Sequence, residues 1–206
     1  KQLVQCYLTE GQKLLIPAYS WWYYKEIADE VRGVTIEYAL VKGKDSFHYD
    51  IDHMIEIVNQ EDPKLIFISS PNNPTGSLVP RDDILDIVEL LSGRTLVVVD
   101  EAYMDFTTGD GVASVVDLVR GDHRVVVLRT FSKIHGMAGL RCGYAITRPD
   151  IATELAGARM ATPNIFAVRA AQASLTDHAF LADCRRRVLA SRTRVTTHLA
   201  RLKLRY

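Results

Sequence analysis

Short apolar runs rich in β-branched residues alternate along this chain with stretches whose apolar positions recur every three or four residues. That is the pattern of parallel βαβ units. The runs are Leu14–Pro17, Val34–Leu40, Leu65–Ser69, Leu96–Val99, Val125–Leu128 and Gly143–Thr147. Leu96–Val99 and Val125–Leu128 are apolar without alternation, which predicts central strands covered on both faces. Asp50 is placed to cap a helix striped by Ile51, Met54, Ile55 and Val58. Pro80 opens another, striped by Ile84, Leu85, Ile87, Val88 and Leu91 and stopped at Ser92–Gly93. Beyond Pro149 the pattern is helical almost throughout: Ile151–Met160, roughly Asn164–Leu175, and a long helix from Asp177 onward. Residues 1–10, with Leu3, Val4, Tyr7 and Leu8 apolar, read as the last turns of a helix ending at Gly11. The expected fold is α/β, a mostly parallel sheet flanked by helices in three α/β/α layers.

Composition narrows the classes. At 206 residues the chain holds one substantial α/β domain or part of a larger protein. Both ends stop in mid-pattern, so a fragment is the expectation. Lys plus Arg equals Asp plus Glu at 25 each, which excludes a global pull toward nucleic acid or an acidic membrane. No run approaches the roughly 18 apolar residues of a membrane span, and no signal peptide opens the chain. Three widely spaced cysteines, Cys6, Cys142 and Cys184, predict reduced thiols of a cytoplasmic protein rather than a disulfide framework. Arginines crowd the last helix, among them Arg185, Arg186, Arg187, Arg192, Arg194, Arg201 and Arg205. Without interleaved aromatics before Tyr206, a solvated or interdomain helix face explains them better than a nucleic-acid stripe.

Candidate chemistry gathers at strand ends, where open parallel sheets bind ligands. Leu65–Ser69 runs into SSPNNPTG (69–76), Leu96–Val99 into Asp100 of VVVDEAY (97–103), and Val125–Leu128 into RTFSKIHGMAGLRCGY (129–144). Asp100, following four apolar residues, is partly desolvated and calls for a cationic partner. A protonated pyridine nitrogen and a neighbouring arginine both answer that call. Asn73, fixed by Pro74 and followed by Gly76, sits in a rigid turn that either serves only as a turn or aims an amide at a ligand oxygen. Lys133 has Thr130 and Ser132 just before it and Arg141 eight residues on. Hydroxyls and a guanidinium suit a phosphate dianion, and a lysine beside another cation is favoured as an amine nucleophile. A GxxxxGK[ST] phosphate loop and a GxSxG elbow are both missing. His48 and His53 lack metal-ligand spacing, and His135 either lines the cleft or only packs.

Taken together and in this order, SSPNNPTG, VVVDEAYMDF (97–106) and RTFSKIHGMAGLRCGY resemble the fold-type I aminotransferases of classes I and II, which depend on pyridoxal phosphate (PLP). The resemblance is greatest to the histidinol-phosphate aminotransferase-like group and runs from about residue 11 to residue 180. It implies that Lys133 carries PLP as a Schiff base and moves the proton during transfer. Asp100 is similar to the aspartate that pairs with the pyridine nitrogen, and Asn73 and Tyr103 to the residues on the phenolic oxygen. Thr130, Ser132 and Arg141 fall where the family grips the phosphate. Tyr19, in IPAYSWW, matches the residue that stacks on the ring, although Trp21 and Trp22 beside it make a purely structural aromatic cluster the competing account.

On the same resemblance, residues 1–180 form the PLP-binding large domain without its N-terminal arm and first strand. Residues 181–206 form a long helix leading toward an absent C-terminal small domain. A GSxE-like phosphate loop would precede Lys1, and the arginine that clamps the substrate carboxylate would lie in the small domain. The implied protein is a cytoplasmic homodimer of amino-acid biosynthesis. It passes an amino group between a small-molecule amino donor and a 2-oxo acid or phosphorylated carbonyl acceptor, with no nucleic acid, membrane or metal involved. A PLP-dependent amino-acid-phosphate decarboxylase and a catalytically silent fragment are the other readings.

Overall fold

The computed structural model describes residues 1–44, 46–91, 93–108, 113–121, 123–159 and 161–204. Ser92, Met160, Arg205 and Tyr206, which the sequence reading invoked, lie outside the described residues. Two compact units result: Lys1–Arg129 with Tyr144–Thr162, and Thr130–Gly143 with Pro163–Tyr206.

The first unit is built on a six-stranded sheet. Its strands are β1 (Lys13–Pro17), β2 (Val34–Tyr38), β5 (Leu65–Ser69), β6 (Leu96–Asp100), β7 (Val125–Thr130) and β8 (Gly143–Thr147), ordered β2-β1-β5-β6-β7-β8. The pairs β1–β2, β1–β5, β5–β6 and β6–β7 are all parallel. All six predicted runs are therefore strands. The run Val34–Leu40 breaks after Tyr38, because Leu40–Lys42 (β3) pairs antiparallel with Phe47–Tyr49 (β4) as a separate ribbon. Gly43 makes the turn: its N–H donates to the Ser46 carbonyl at 2.8 Å, and a Cβ there would meet the His48 ring at 2.6 Å.

Period-two alternation along each strand divides the core between the two sheet faces. Leu15, Ile66, Ile68, Val97, Val99, Val125 and Val127 pack on one side with α3 (Ile51–Glu61) and α4 (Arg81–Leu91). Leu14, Ile16, Leu65, Phe67, Leu96, Val98 and Val126 pack on the other with α1 (Gln2–Tyr7), α2 (Tyr23–Glu30) and α5 (Pro149–Gly157). This is the three-layer arrangement. Leu96–Val99 are at most 2% exposed, and burying each such side chain stabilises by roughly 1.5–3 kcal/mol.

Helix ends follow their caps. The Asp50 side chain accepts the His53 N–H at 3.0 Å and starts α3. The first helix stops at Tyr7, short of Gly11, because Leu8 is already extended. Gly11, at φ 77°, instead turns the chain into β1, its N–H donating to the Arg32 carbonyl. Four consecutive aromatics, Trp21 to Tyr24, hide the period of α2, whose buried residues are Tyr24, Ile27 and Ala28.

In the second unit, α6 (Ile165–Leu175) is capped by Asn164 and α7 (His178–Arg201) by Asp177, each side chain accepting a main-chain N–H two or three residues on. No described residue of α7 is buried, and Arg186 and Arg187 pair with Asp183 on its own surface. All three cysteines are free. Among the described residues, no helix is long and apolar enough to cross a membrane, and no cluster of three metal-ligating side chains occurs.

Candidate active site

Parallel pairing brings the carboxyl ends of β5 and β6 level: Ser69 lies opposite Asp100, and the Ser70 N–H donates to the Asp100 carbonyl at 3.1 Å. The Asp100 carboxylate is half-buried and held at both oxygens. The Tyr24 hydroxyl donates to Oδ2 at 2.5 Å, and the Ala102 N–H donates to Oδ1 at 3.0 Å. Burial, with the neighbouring carboxylate, pushes the Tyr24 phenol well above its ordinary range, so it stays a donor. The Tyr49 phenol is pushed up by the same two causes, and its hydroxyl donates to the Ser69 carbonyl.

The NNPTG turn follows β5 on the same unit. Its backbone closes through Gly76 N–H to Asn72 C=O and Asn72 N–H to Ser77 C=O, both 2.8 Å, with Gly76 at φ 72°. The turn places the Asn73 amide 3.5 Å from the Tyr103 hydroxyl, so two groups predicted from separate motifs are adjacent. Asn72, which the sequence reading passed over, is buried and donates to Thr75 Oγ1 at 2.8 Å and to the Tyr19 carbonyl at 3.1 Å. That second bond braces Tyr19, a non-glycine residue at φ 54°. Tyr19 is 66% exposed and its ring rests on Phe47, whereas Trp21 and Trp22 pack on Tyr23 and Tyr24. The aromatic run thus splits by ring contact and not by exposure, since Trp22 at 65% is as open as Tyr19.

Just past Asp100, the fully buried carboxylate of Glu101 accepts from Arg129 Nε at 2.8 Å, Ser114 Oγ at 2.8 Å and the Val115 N–H at 2.8 Å. Arg129 also reaches Asp105 at 3.1 Å. This bridge ties the end of β6 to the end of β7. It was missed in sequence; the signal was an acidic residue after one buried strand and an arginine ending the next.

The second unit, taken by itself, contains the loop Thr130–Gly143. Phe131 N–H donates to the Cys142 carbonyl at 3.1 Å and closes the loop at its base. Inside it, Thr130 Oγ1 accepts the Ser132 N–H at 3.1 Å, Gly136 N–H donates to the Lys133 carbonyl at 2.9 Å, and Met137 N–H to the Phe131 carbonyl at 3.0 Å. Phe131 and Ile134 are buried anchors, which turns Lys133 between them to the exposed side. Arg141 caps a short turn in the left-handed region at φ 53°, its guanidinium bonding the Ala138 carbonyl at 2.7 Å. His135 packs on Phe131 and bonds Ser174 at 2.7 Å. Two hydroxyls, a lysine and an arginine therefore share one loop closed on itself.

Comparison with known proteins assigns the chain to a family. The family profile described as aminotransferase class I and II matches residues 1–206. The chain belongs to that family. Among its relatives, a histidinol-phosphate aminotransferase of Anaeromyxobacter sp. (strain Fw109-5) is 36% identical over 97% of this chain and 54% of its own length. An aromatic amino acid aminotransferase of Cutibacterium acnes is 35% identical over 97% of this chain and 56% of its own. The crystal structure of histidinol-phosphate aminotransferase from Sinorhizobium meliloti, solved with pyridoxal-5'-phosphate, superimposes with a TM-score of 0.84 at 25% identity, over 94% of this chain and 52% of that one. This class I and II aminotransferase chain thus spans about half the length of the curated relatives it matches.

Proposed function

We propose that this is the cofactor-bearing part of a PLP-dependent aminotransferase that moves an amino group between an amino acid and a 2-oxo acid or phosphorylated carbonyl acceptor. The observation that carries the reading is Asp100. It is a carboxylate at a parallel strand's carboxyl end, and two neutral donors, the Tyr24 hydroxyl and the Ala102 N–H, reach its two oxygens. Such a group fits a protonated ring nitrogen. The Thr130–Gly143 loop, with two hydroxyls, a lysine and an arginine, fits a phosphate dianion and an aldehyde.

In this reading Asp100 keeps the ring nitrogen protonated, and Asn73 and Tyr103 hydrogen-bond the phenolic oxygen. Thr130, Ser132 and Arg141 hold the phosphate, and Tyr19 covers the ring face. Lys133 attaches the cofactor. Its freed amine then takes the proton from the substrate Cα as general base. Bound PLP supplies a sink for the electrons left when that Cα–H bond breaks. The relatives act on histidinol phosphate and on aromatic amino acids, so we assign the amino donor a flat imidazole or aryl side chain. We also assign the protein a cytoplasmic homodimer, checked by its mass in solution.

The test is reduction of the PLP-loaded full-length protein with borohydride, followed by mapping of the labelled peptide. Label on Lys133 is expected, and Lys133→Ala should abolish both label and transfer, a loss of roughly 10²–10⁴-fold or more. Label on another lysine would overturn the assignment. Release of carbon dioxide instead of a 2-oxo acid would overturn the reaction class.

A further inference from the structure

Tyr24 sits in the first turn of α2 at 3% exposure, and its ring is fixed from two sides. Phe67 lies 4.8 Å away between ring centroids, and Trp21 meets it edge-on at 5.6 Å. Ile27 and Ala28, buried one turn later, anchor the helix that carries it. The hydroxyl on this locked ring reaches Asp100 Oδ2 at 2.5 Å, while Ala102 N–H takes Oδ1.

We propose that Tyr24 is a positioning residue for catalysis, its hydroxyl setting the rotation of the Asp100 carboxylate and the basicity it presents to the cofactor's ring nitrogen. The inference rests on the reading of Asp100 given above. Donors from two different elements leave the carboxylate little freedom about Cβ–Cγ, so its remaining lone pairs point in fixed directions. Because Tyr24 is a neutral donor, it satisfies one lone pair without cancelling the charge, as an arginine or lysine there would. Hydrogen bonds to charged groups are among the stronger ones, so losing this one has a measurable effect. The phenol holds its proton in this setting, since burial and the adjacent carboxylate both oppose its ionisation.

The experiment compares three variants in the full-length holoenzyme. Tyr24→Phe keeps the ring against Phe67 and removes only the hydroxyl. Expected are a displaced pH titration of the bound cofactor's visible absorption band and a kcat about tenfold lower, with KM for the amino donor changed less than about twofold. Tyr38→Phe is the structural control. It removes a buried hydroxyl that donates to the Phe67 carbonyl at 2.8 Å, and should lower the melting temperature while leaving the titration in place. Asp100→Asn should displace the titration further than Tyr24→Phe. A titration that moves with Asp100→Asn but not with Tyr24→Phe overturns the role of Tyr24 alone. One that moves with neither overturns the underlying reading of Asp100. If Tyr24→Phe does not load cofactor, 3-fluorotyrosine at position 24 strengthens the bond instead. It should displace the titration from that of the unsubstituted holoenzyme, and an unmoved titration there overturns the proposal.

Discussion

The cluster around Asp100 and the loop that carries Lys133 are braced by different means. Around Asp100 the side chains are tied to other elements: Tyr24 from α2, Asn73 to Tyr103, Glu101 to Arg129. Within the loop Thr130–Gly143 the bonds described run main chain to main chain, hydroxyl to main chain or guanidinium to main chain, and Lys133 and Arg141 are exposed. The difference teaches that the first group shares its residues with the folding core, while the second is shaped by its own turn and can lose charged side chains without loosening the sheet. Mutational damage should therefore fall on stability in one region and on cofactor affinity in the other.

The largest expected effect is at Arg129. Removing the guanidinium takes the Arg129 countercharge from the fully inaccessible Glu101 carboxylate and leaves the neutral donors Ser114 and Val115 N–H to hold it. Arg129→Met should cost about 3–5 kcal/mol in urea or thermal unfolding. A loss below about 1 kcal/mol would break the claim that the β6 end is braced through this bridge.

Alkaline pH is the next lever. Tyr24, Tyr38 and Tyr49 all have phenols pushed above their ordinary value of 10.0, first by burial. A folded-state pKa above the unfolded one gives stability that is fully present below about pH 10 and is lost as pH rises through the folded value. Each such phenol should steepen the fall by up to about 1.4 kcal/mol per pH unit above pH 10. Tyr38→Phe should flatten that slope by one proton's share, measurable by denaturation in a pH series. The Thr130–Gly143 loop contains no tyrosine, so removing its Thr130 or Ser132 hydroxyl should leave the slope untouched.

How much of this was legible beforehand follows from the kind of force involved. The strands and most helices were readable, because burial imposes a period on each: two along β5 and β6, three to four along α3 and α4. The cap at Asp50 marked a helix start through a local bond, and the helix starts read near Asn164 and Asp177 prove to be capped in the same way. The motif residues Asn73, Asp100 and Lys133 were readable as strand-end chemistry. Tyr24 and Asn72 were not, because their roles depend on partners 76 and 53 residues away in sequence. Four adjacent aromatics also masked the turn of α2 that aims Tyr24, and the broken strand after Tyr38 depended on the pairing of Leu40–Lys42 with Phe47–Tyr49.

Asn72 tests the brace on Tyr19. Losing its bonds to the Tyr19 carbonyl and Thr75 should cost about 1–3 kcal/mol, and Tyr19's left-handed backbone would lose a constraint that keeps it in a sparsely populated region. Asn72→Ala should therefore lower the denaturation midpoint and weaken PLP binding together. A change in stability with no change in affinity would confine Asn72 to the fold and sharpen the boundary between the two regions.

Arg141 should give the smallest change in stability. Its guanidinium is exposed and bonds the carbonyl of Ala138, three residues back in the same turn. Surface substitutions of this kind stay within about 0.5 kcal/mol. Arg141→Met should thus unfold at the native midpoint, where Arg129→Met does not. The same variant should bind PLP at least tenfold more weakly, because a fixed guanidinium on a phosphate dianion is a strong charge-assisted contact. Titration of the full-length protein with PLP, set beside its denaturation curve, reads both quantities. Arginines only twelve residues apart would then separate cleanly: one holds the sheet and the other holds the ligand. A native affinity in Arg141→Met would remove this residue from the phosphate and leave Thr130 and Ser132 as the loop's contribution.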